Sequence, residues 1–334
     1  MVKFQINAVA QINHSKKWFA FAIALFFIYQ VALGQKVNVP QKKNKKEIPT
    51  LQQKLKAYLD SQPAKIGVAI KFIPYNDSLA FAQNPNQGEL KYEMFDYHGN
   101  DSFLMMSVAK LPLAIYTLML VEGGTLSLDT QIAIDSNDLA RETHSPMVNG
   151  KTEPFKITLR EAIDASVGLS DNITTDKIFD LVGGPQKAED FLQNLGYKNM
   201  HVRSNYRTMT ESTLGMNSSS PLAMNKLLFE LYYGLLTKPE HTKYLYALMK
   251  NTPTGPMRIR KELPSTVEFA HKTGTYYNDT VIKAINDVGI MKLKTGLVFL
   301  TVFVNDSKLD PAETEKILST IGKKVYEDYR IMGL

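Results

Sequence analysis

"MSVAKLP", residues 106–112, sets Ser107 three places before Lys110, at the head of an apolar helical pattern carrying Leu113, Ile115, Tyr116 and Leu118. Residues three apart share a helix face, so hydroxyl and amine can touch. A serine at a helix start also has its own backbone N–H among the unpaired donors of the first turn. Such an N–H can help hold an oxyanion. Pro112 is tolerated in the first turns. Alone, S-x-x-K is a weak signal, and a serine cap with a surface lysine is the plainer reading. What the rest of the chain brings to these two residues decides the matter.

Strand patterns lie at both ends of the sequence. "KIGVAIKFIP" (Lys65–Pro74) alternates, with Ile66, Val68, Ile70 and Phe72 on one face, and a second strand is expected within Leu79–Met94. "TVEFAHKTG", "DVGIMKL" and "GLVFLTVFVND" give three more strands late in the chain. Helical patterns open the chain at Thr50–Gln62 and dominate from about Leu126 to Lys250. The last helix is expected to begin with Asp310 as cap, Pro311 in the first turn and Glu313 completing a capping box. Ile317, Ile321, Val325 and Tyr329 then recur every fourth residue. The expected fold is therefore α+β: one antiparallel sheet closed from the two ends of the chain, flanked by helices, with a helical lobe inserted. The sheet lobe takes 50–105 and 260–334, the helical lobe about 106–259, and the site is expected in the cleft between them.

Two further motifs fall in that middle region and at its end. "VGLSDNIT" supplies Ser170, Asp171 and Asn172 in a loop between two helices. "AHKTGTYY" supplies Lys272, Thr273, Gly274 and Thr275 at the end of a strand. S-x-x-K, then S-D-N, then K-T-G, in that order, is the motif set of the serine β-lactamases and penicillin-binding proteins. From about Thr50 to the C-terminus the chain resembles class A serine β-lactamases, most of all their disulfide-free branch. The likeness includes "VGGPQKAEDFLQNLG" (Val182–Gly196), "SSSPLAM" (Ser218–Met224) and "NDVGIMKLKTGLVFLTVFVNDS" (Asn286–Ser307). It implies a five-stranded antiparallel sheet beside an all-helical lobe.

The resemblance also implies roles. Ser107 attacks the lactam carbonyl, and Lys110, desolvated, accepts or relays its proton. Backbone N–H groups of Ser107 and Thr275 form the oxyanion hole. Ser170 passes a proton to the departing nitrogen, and Asn172 binds the substrate's side-chain amide. Lys272 and Thr273 meet its carboxylate, and Gly274 lets substrate backbone approach the strand. Asp171 is structural. Arg258, in "TGPMRIRKELP", resembles an arginine supporting carboxylate binding, though a surface arginine reads equally well. His144, in "ETHSP", falls where the family has an aromatic gate, though a loop histidine without a role reads equally well.

One departure stands out. The family deacylates with a glutamate acting through a water. The family spacing, ten residues beyond Gly196, lands instead on Tyr206. A tyrosine of ordinary pKa, about 10, is a poor base near neutral pH. The nearest acid is Glu211, in "TMTESTLGMN", which serves only if the loop is rebuilt. Acylation is thus expected to be intact and deacylation slowed. The alternatives are a D-alanyl-D-alanine peptidase or penicillin-binding protein acting on a peptidoglycan stem peptide, and a non-hydrolysing β-lactam receptor.

Composition narrows the partners. Among 334 residues, 44% are hydrophobic and 22% charged, which excludes a disordered chain. Lys16 and Lys17 precede a sixteen-residue apolar run, Trp18–Leu33, broken by Gln30 alone; with small residues at Ala32 and Gly34, residues 1–34 read as a signal peptide cleaved near Gly34–Gln35. The run is short for a retained membrane anchor, which needs about 20 residues. Export to the periplasm is expected. The net charge of +6 includes Lys3, Lys16 and Lys17, and residues 35–49, with "KKNKKE", read as a basic linker. No basic face remains to argue for nucleic acid. Without cysteine there is no thiolate metal site, and the six histidines form no metal-ligand spacing. No cofactor motif is present, and a monomer is the default expectation.

Overall fold

The computed structural model describes residues 48–83, 90–278 and 282–332; the expected leader, and the basic linker up to residue 47, lie outside them. The chain enters through helix α1 (Ile48–Asp60) and strand β1 (Lys65–Pro74), then α2 (Tyr75–Gln83), β2 (Glu93–Tyr97) and the short β3 (Phe103–Leu104). A 3₁₀ turn over Met106–Ala109 runs into α3 (Lys110–Glu122). The lobe that follows holds β4 (Gln131–Ile134), β5 (Phe155–Thr158), α4 (Asn172–Val182), α5 (Pro185–Asn194), β6 (Met200–Val202), β7 (Asn217–Ser219), α6 (Pro221–Tyr232) and α7 (Pro239–Lys250). The chain returns through β8 (Glu268–Tyr277), β9 (Ile282–Lys292), β10 (Gly296–Ser307) and α8 (Pro311–Tyr329).

Five strands form one antiparallel sheet in the order β2–β1–β10–β9–β8, so both ends of the chain build it. Alternation along β10 explains its nearly unbroken apolar sequence. Val298, Leu300, Val302 and Val304 pack on one face with Leu55, Leu59, Ile317, Ile321 and Val325 of the terminal helices. Leu297, Phe299 and Phe303 pack on the other face with the inserted lobe. A strand buried on both faces has no polar side to show. Asp310 caps α8, accepting from the Glu313 N–H at 2.8 Å, but the Glu313 carboxylate pairs with Lys316 at 3.5 Å instead of returning to the cap.

The sequence reading needs three corrections. Leu79–Phe81 lies in helix α2 rather than a strand, and the second strand starts only at Glu93; α2 buries Phe81 against the Phe229 and Tyr233 rings. The inserted lobe is not all-helical. β4 pairs with β5, and β3, β7 and β6 form a three-stranded sheet. These ladders run two to four residues per strand, too short to leave a period-2 pattern. Finally, Ser107 is not a helix cap. It sits within the 3₁₀ turn, with Lys110 opening the α-helix.

The segment approaching Ser107 is held from the sheet. Asn286, fully buried on β9, donates to the carbonyls of Leu104 (2.7 Å) and Met105 (3.3 Å) and accepts from the Val304 N–H (3.2 Å). Each buried polar group left unpaired costs about 1–3 kcal/mol. Asn286→Ala is therefore expected to lower unfolding stability by at least about 2 kcal/mol, read as a shift of the urea midpoint without a change in slope.

Candidate active site

Three elements converge. The 3₁₀ turn carries Ser107, half-buried, and delivers Lys110 into the interior. Met106, just before the serine, has φ 51°, the left-handed region that a side-chain-bearing residue rarely adopts. The loop ahead of α4 carries Ser170, itself at φ 61° and buried, directly after a wide π turn over Asp164–Gly168. β8 carries Lys272, whose side chain points at that loop. Unfavourable backbone at Met106 and at Ser170 marks places the surrounding structure holds against local preference.

The distances are short. Lys110 Nζ donates to the Ser170 carbonyl (2.6 Å) and Asn172 Oδ1 (2.6 Å), and lies 3.5 Å from Ser170 Oγ. Lys272 Nζ donates to Ser170 Oγ at 2.9 Å and to its neighbour's carbonyl, Thr273 O, at 3.1 Å. Ser170 thus stands between two buried amine groups. Burial pushes the Lys110 amine far below the usual lysine range, and the nearby Lys272 charge adds to this; Asp171 and Asp176 oppose it. Burial, helped by the Arg258 charge, lowers Lys272 to about 7. Among the described residues no carboxylate hydrogen-bonds either amine.

Asp171 does structural work. Its carboxylate caps α4 through the Thr174 N–H (2.8 Å) and accepts from Ser145 Oγ (2.6 Å) and the Met147 N–H (2.8 Å). Asn172 donates from Nδ2 to Thr143 Oγ1 at 2.9 Å while its Oδ1 accepts from Lys110, so one amide bridges the 143–147 loop and the lysine. His144 is exposed at the rim. Its Nε2 lies 3.1 Å from the Leu169 carbonyl, and its own carbonyl accepts from the Asn172 N–H.

Along β8, Thr273 Oγ1 donates to Thr254 Oγ1 (2.9 Å), which also meets Thr252 Oγ1 (2.9 Å); Thr252 donates to the Gly168 carbonyl at 2.7 Å. Thr252 and Thr254 went unread in the sequence; "NTPTGP" signals only a turn. Arg258 is no surface arginine: it is 6% exposed. It donates to Gly274 O (3.2 Å), Asn286 O (2.9 Å) and Thr275 Oγ1 (2.6 Å), and pairs with Glu315 at 3.0 Å. Gly274 has a use the sequence did not suggest. A Cβ there would collide with the Met105 carbonyl, so the close approach it permits is that of the chain's own Ser107 turn. Thr275 is exposed beside it.

The loop between β6 and β7 puts Tyr206 in the middle of the site. Buried Asp176 accepts from the Tyr206 N–H (2.7 Å) while pairing with Arg141 (2.7 Å). The phenol hydroxyl donates to the Met106 carbonyl at 3.0 Å and meets the Ser107 side chain. The ring centre is 4.4 Å from Lys110 Nζ, a cation–π distance. Burial, then the Asp176 charge, holds the phenol protonated far above neutral pH. Glu211 is not brought to this group by any bond it makes. It is exposed and accepts from Tyr276 OH (3.3 Å) and Asn278 (3.2 Å), beyond the end of the K-T-G stretch. Among the described residues no three His, Asp or Glu side chains gather as a metal would need.

A serine and two buried amines, on a strand, a turn and a loop between sheet and helical lobe, define a serine hydrolase of the penicillin-recognising type. Comparison with known proteins narrows it: residues 50–329 match the model of the β-lactamase enzyme family, and the chain belongs to that family, with class A serine β-lactamases as its relatives. It is 32% identical to the β-lactamase VEB-1 of Pseudomonas aeruginosa over 83% of this chain and 89% of that one. It is 30% identical to the extended-spectrum β-lactamase PER-1 of the same organism, over 68% and 75%. Among solved structures, a β-lactamase from Chitinophaga pinensis superposes with TM-score 0.75 at 32% identity, covering 83% of this chain and 98% of that one. The TLA-1 extended-spectrum β-lactamase superposes with TM-score 0.76 at 27% identity, over 84% and 99%.

The Lys272 value sets a pH dependence. Its pKa is depressed to about 7, so its charge is present below that pH and lost as pH rises through it. If the charge receives the substrate carboxylate, the second-order acylation rate falls above about pH 7, approaching tenfold per pH unit. Stopped-flow acylation from pH 5.5 to 9 reads this, and Lys272→Arg should remove the decline.

Proposed function

We propose that the chain is a class A β-lactamase whose acylation half-reaction is complete and whose deacylation is slow. The observation that carries the reading is Tyr206: a protonated phenol occupies the nucleophile's surroundings, where the family spacing calls for a glutamate. In this reading Ser107 Oγ attacks the lactam carbonyl, and Lys110, neutral in its buried setting, takes the proton. The backbone N–H groups of Ser107 and Thr275 hold the oxyanion. Ser170, bonded to Lys272, relays a proton to the lactam nitrogen as it leaves. Lys272 and Thr273 receive the carboxylate, Arg258 supports them from beneath β8, and Asn172 and His144 border the side-chain pocket.

Deacylation needs a base on a water, and base assistance is worth about 10²–10⁴-fold. Tyr206 stays protonated and donates to a carbonyl, so it offers none. Glu211, tied to Tyr276 and Asn278, offers none unless its loop moves. The acyl-enzyme then persists, which keeps a second reading alive: a β-lactam receptor, or a penicillin-binding protein acting on stem peptides.

With a chromogenic cephalosporin, a burst equal to the enzyme concentration is expected, followed by slow steady turnover. Tyr206→Glu should raise the steady phase about tenfold or more with the burst unchanged. A burst with no later turnover favours the receptor reading, and loss of turnover in Glu211→Ala would overturn this assignment of the base. We also propose export with removal of residues 1–34, supported by the lysine pair and apolar run of the leader; N-terminal sequencing of periplasmic protein should then start at Gln35.

A further inference from the structure

A second concavity, about 750 Å³ in volume, lies away from Ser107. Its walls are α2, the end of α6, α7 and the β8–β9 end of the sheet. On β8 its nearest residue is Glu268, seven places before Thr275. At about 3.3 Å per residue that is about 23 Å from the oxyanion end. The volume is that of a small-molecule site.

Its lining is unusual for a surface hollow. Tyr75, Tyr232, Tyr233 and Tyr246 supply four rings, with Tyr232 edge-on to both Tyr233 and Tyr246. Three lysines, 243, 250 and 292, face one acid, Glu268. That acid is already engaged, by Lys292 at 2.8 Å, Lys250 at 3.2 Å and the Tyr246 hydroxyl at 2.7 Å. Lys292 also lies 4.3 Å from the Tyr246 ring centre and 5.6 Å from that of Tyr232, which fixes it as part of the wall. Donor capacity is left over. The Tyr75 and Tyr232 hydroxyls and the Lys243 amine have no hydrogen-bond or ion-pair partner among the described residues, and Tyr75 is 54% exposed.

Unfilled donors, an excess of two positive charges and flat aromatic walls ask for one kind of solute. It carries an anionic acceptor group for Lys243 and the hydroxyls, and a ring to lie on tyrosine. We propose that this hollow is a second binding site, taking a ring-bearing carboxylate. An acidic sugar and an aryl carboxylate share that chemistry.

The test uses the mature protein and saturation-transfer NMR with two acids, N-acetylmuramic acid and phenylacetate. Their uncharged counterparts are N-acetylglucosamine and phenylacetamide. At least one acid should bind more tightly than its neutral counterpart. Lys243→Glu should weaken it about tenfold or more, and Tyr75→Ala should weaken it too. Both positions are exposed and far from Ser107, so the cephalosporin burst should be unchanged in either variant and report an intact fold. Binding of the sugar acid alone, or of the aryl acid alone, supports the site and identifies its source. No binding of either acid, or binding that both variants leave unchanged, overturns it.

Discussion

Two amine-bearing side chains from different elements end on the same serine. Lys110 comes from the first turn of α3 and Lys272 from β8, and Ser170 lies between them. Bringing like charges into a closed interior is costly unless hydrogen bonds replace the water they lose. The chain supplies carbonyls and hydroxyls for this: Ser170 O, Asn172 Oδ1, Thr273 O and Ser170 Oγ. To aim those acceptors inward, the backbone at Ser170 must take a left-handed conformation, and the helix before it must widen into a π turn. Asp171 then fastens the loop by three hydrogen bonds. Burial, and then a neighbouring positive charge, lowers both pKa values, and among the described residues no carboxylate bonds either amine to offset this.

Tyr206 fits that electrostatic situation in a particular way. Its ring face offers partial negative charge to Lys110 without adding a full one. The phenol proton satisfies the Met106 carbonyl, exposed by the strained turn that positions Ser107. The tyrosine therefore ties the loop to the Ser107 turn while its phenol keeps its proton. In the proposed reading, binding and acylation rest on one set of groups and release of the acyl chain on another.

Much of this was legible in the sequence because it was encoded locally. Strand alternation, the S-x-x-K spacing, and the S-D-N and K-T-G triplets each sit within a few residues, and they mark Ser107, Lys110, Ser170, Asn172 and Lys272. What was not legible depends on distant neighbours. Arg258 reads equally well as surface or site until β8 and Glu315 close over it. Asn286 is one polar residue in an apolar strand, and its two carbonyl partners lie more than 180 positions earlier. Thr254 becomes part of the site only through Thr273. The short ladders β3–β7–β6 and β4–β5 carry too few residues for any period, and α2 mimics alternation while being helical.

The contact between residue 274 and the Met105 carbonyl divides the molecule by how much change it can absorb. There a single added carbon has nowhere to go, because backbone lies on the other side. Leu214 and Met209 of the neighbouring loop meet Met106 and Ala284 through apolar side chains, which can repack. A side chain at position 274 is therefore barred by backbone, whereas changes of side-chain size at Met209 and Leu214 meet only neighbours that can repack.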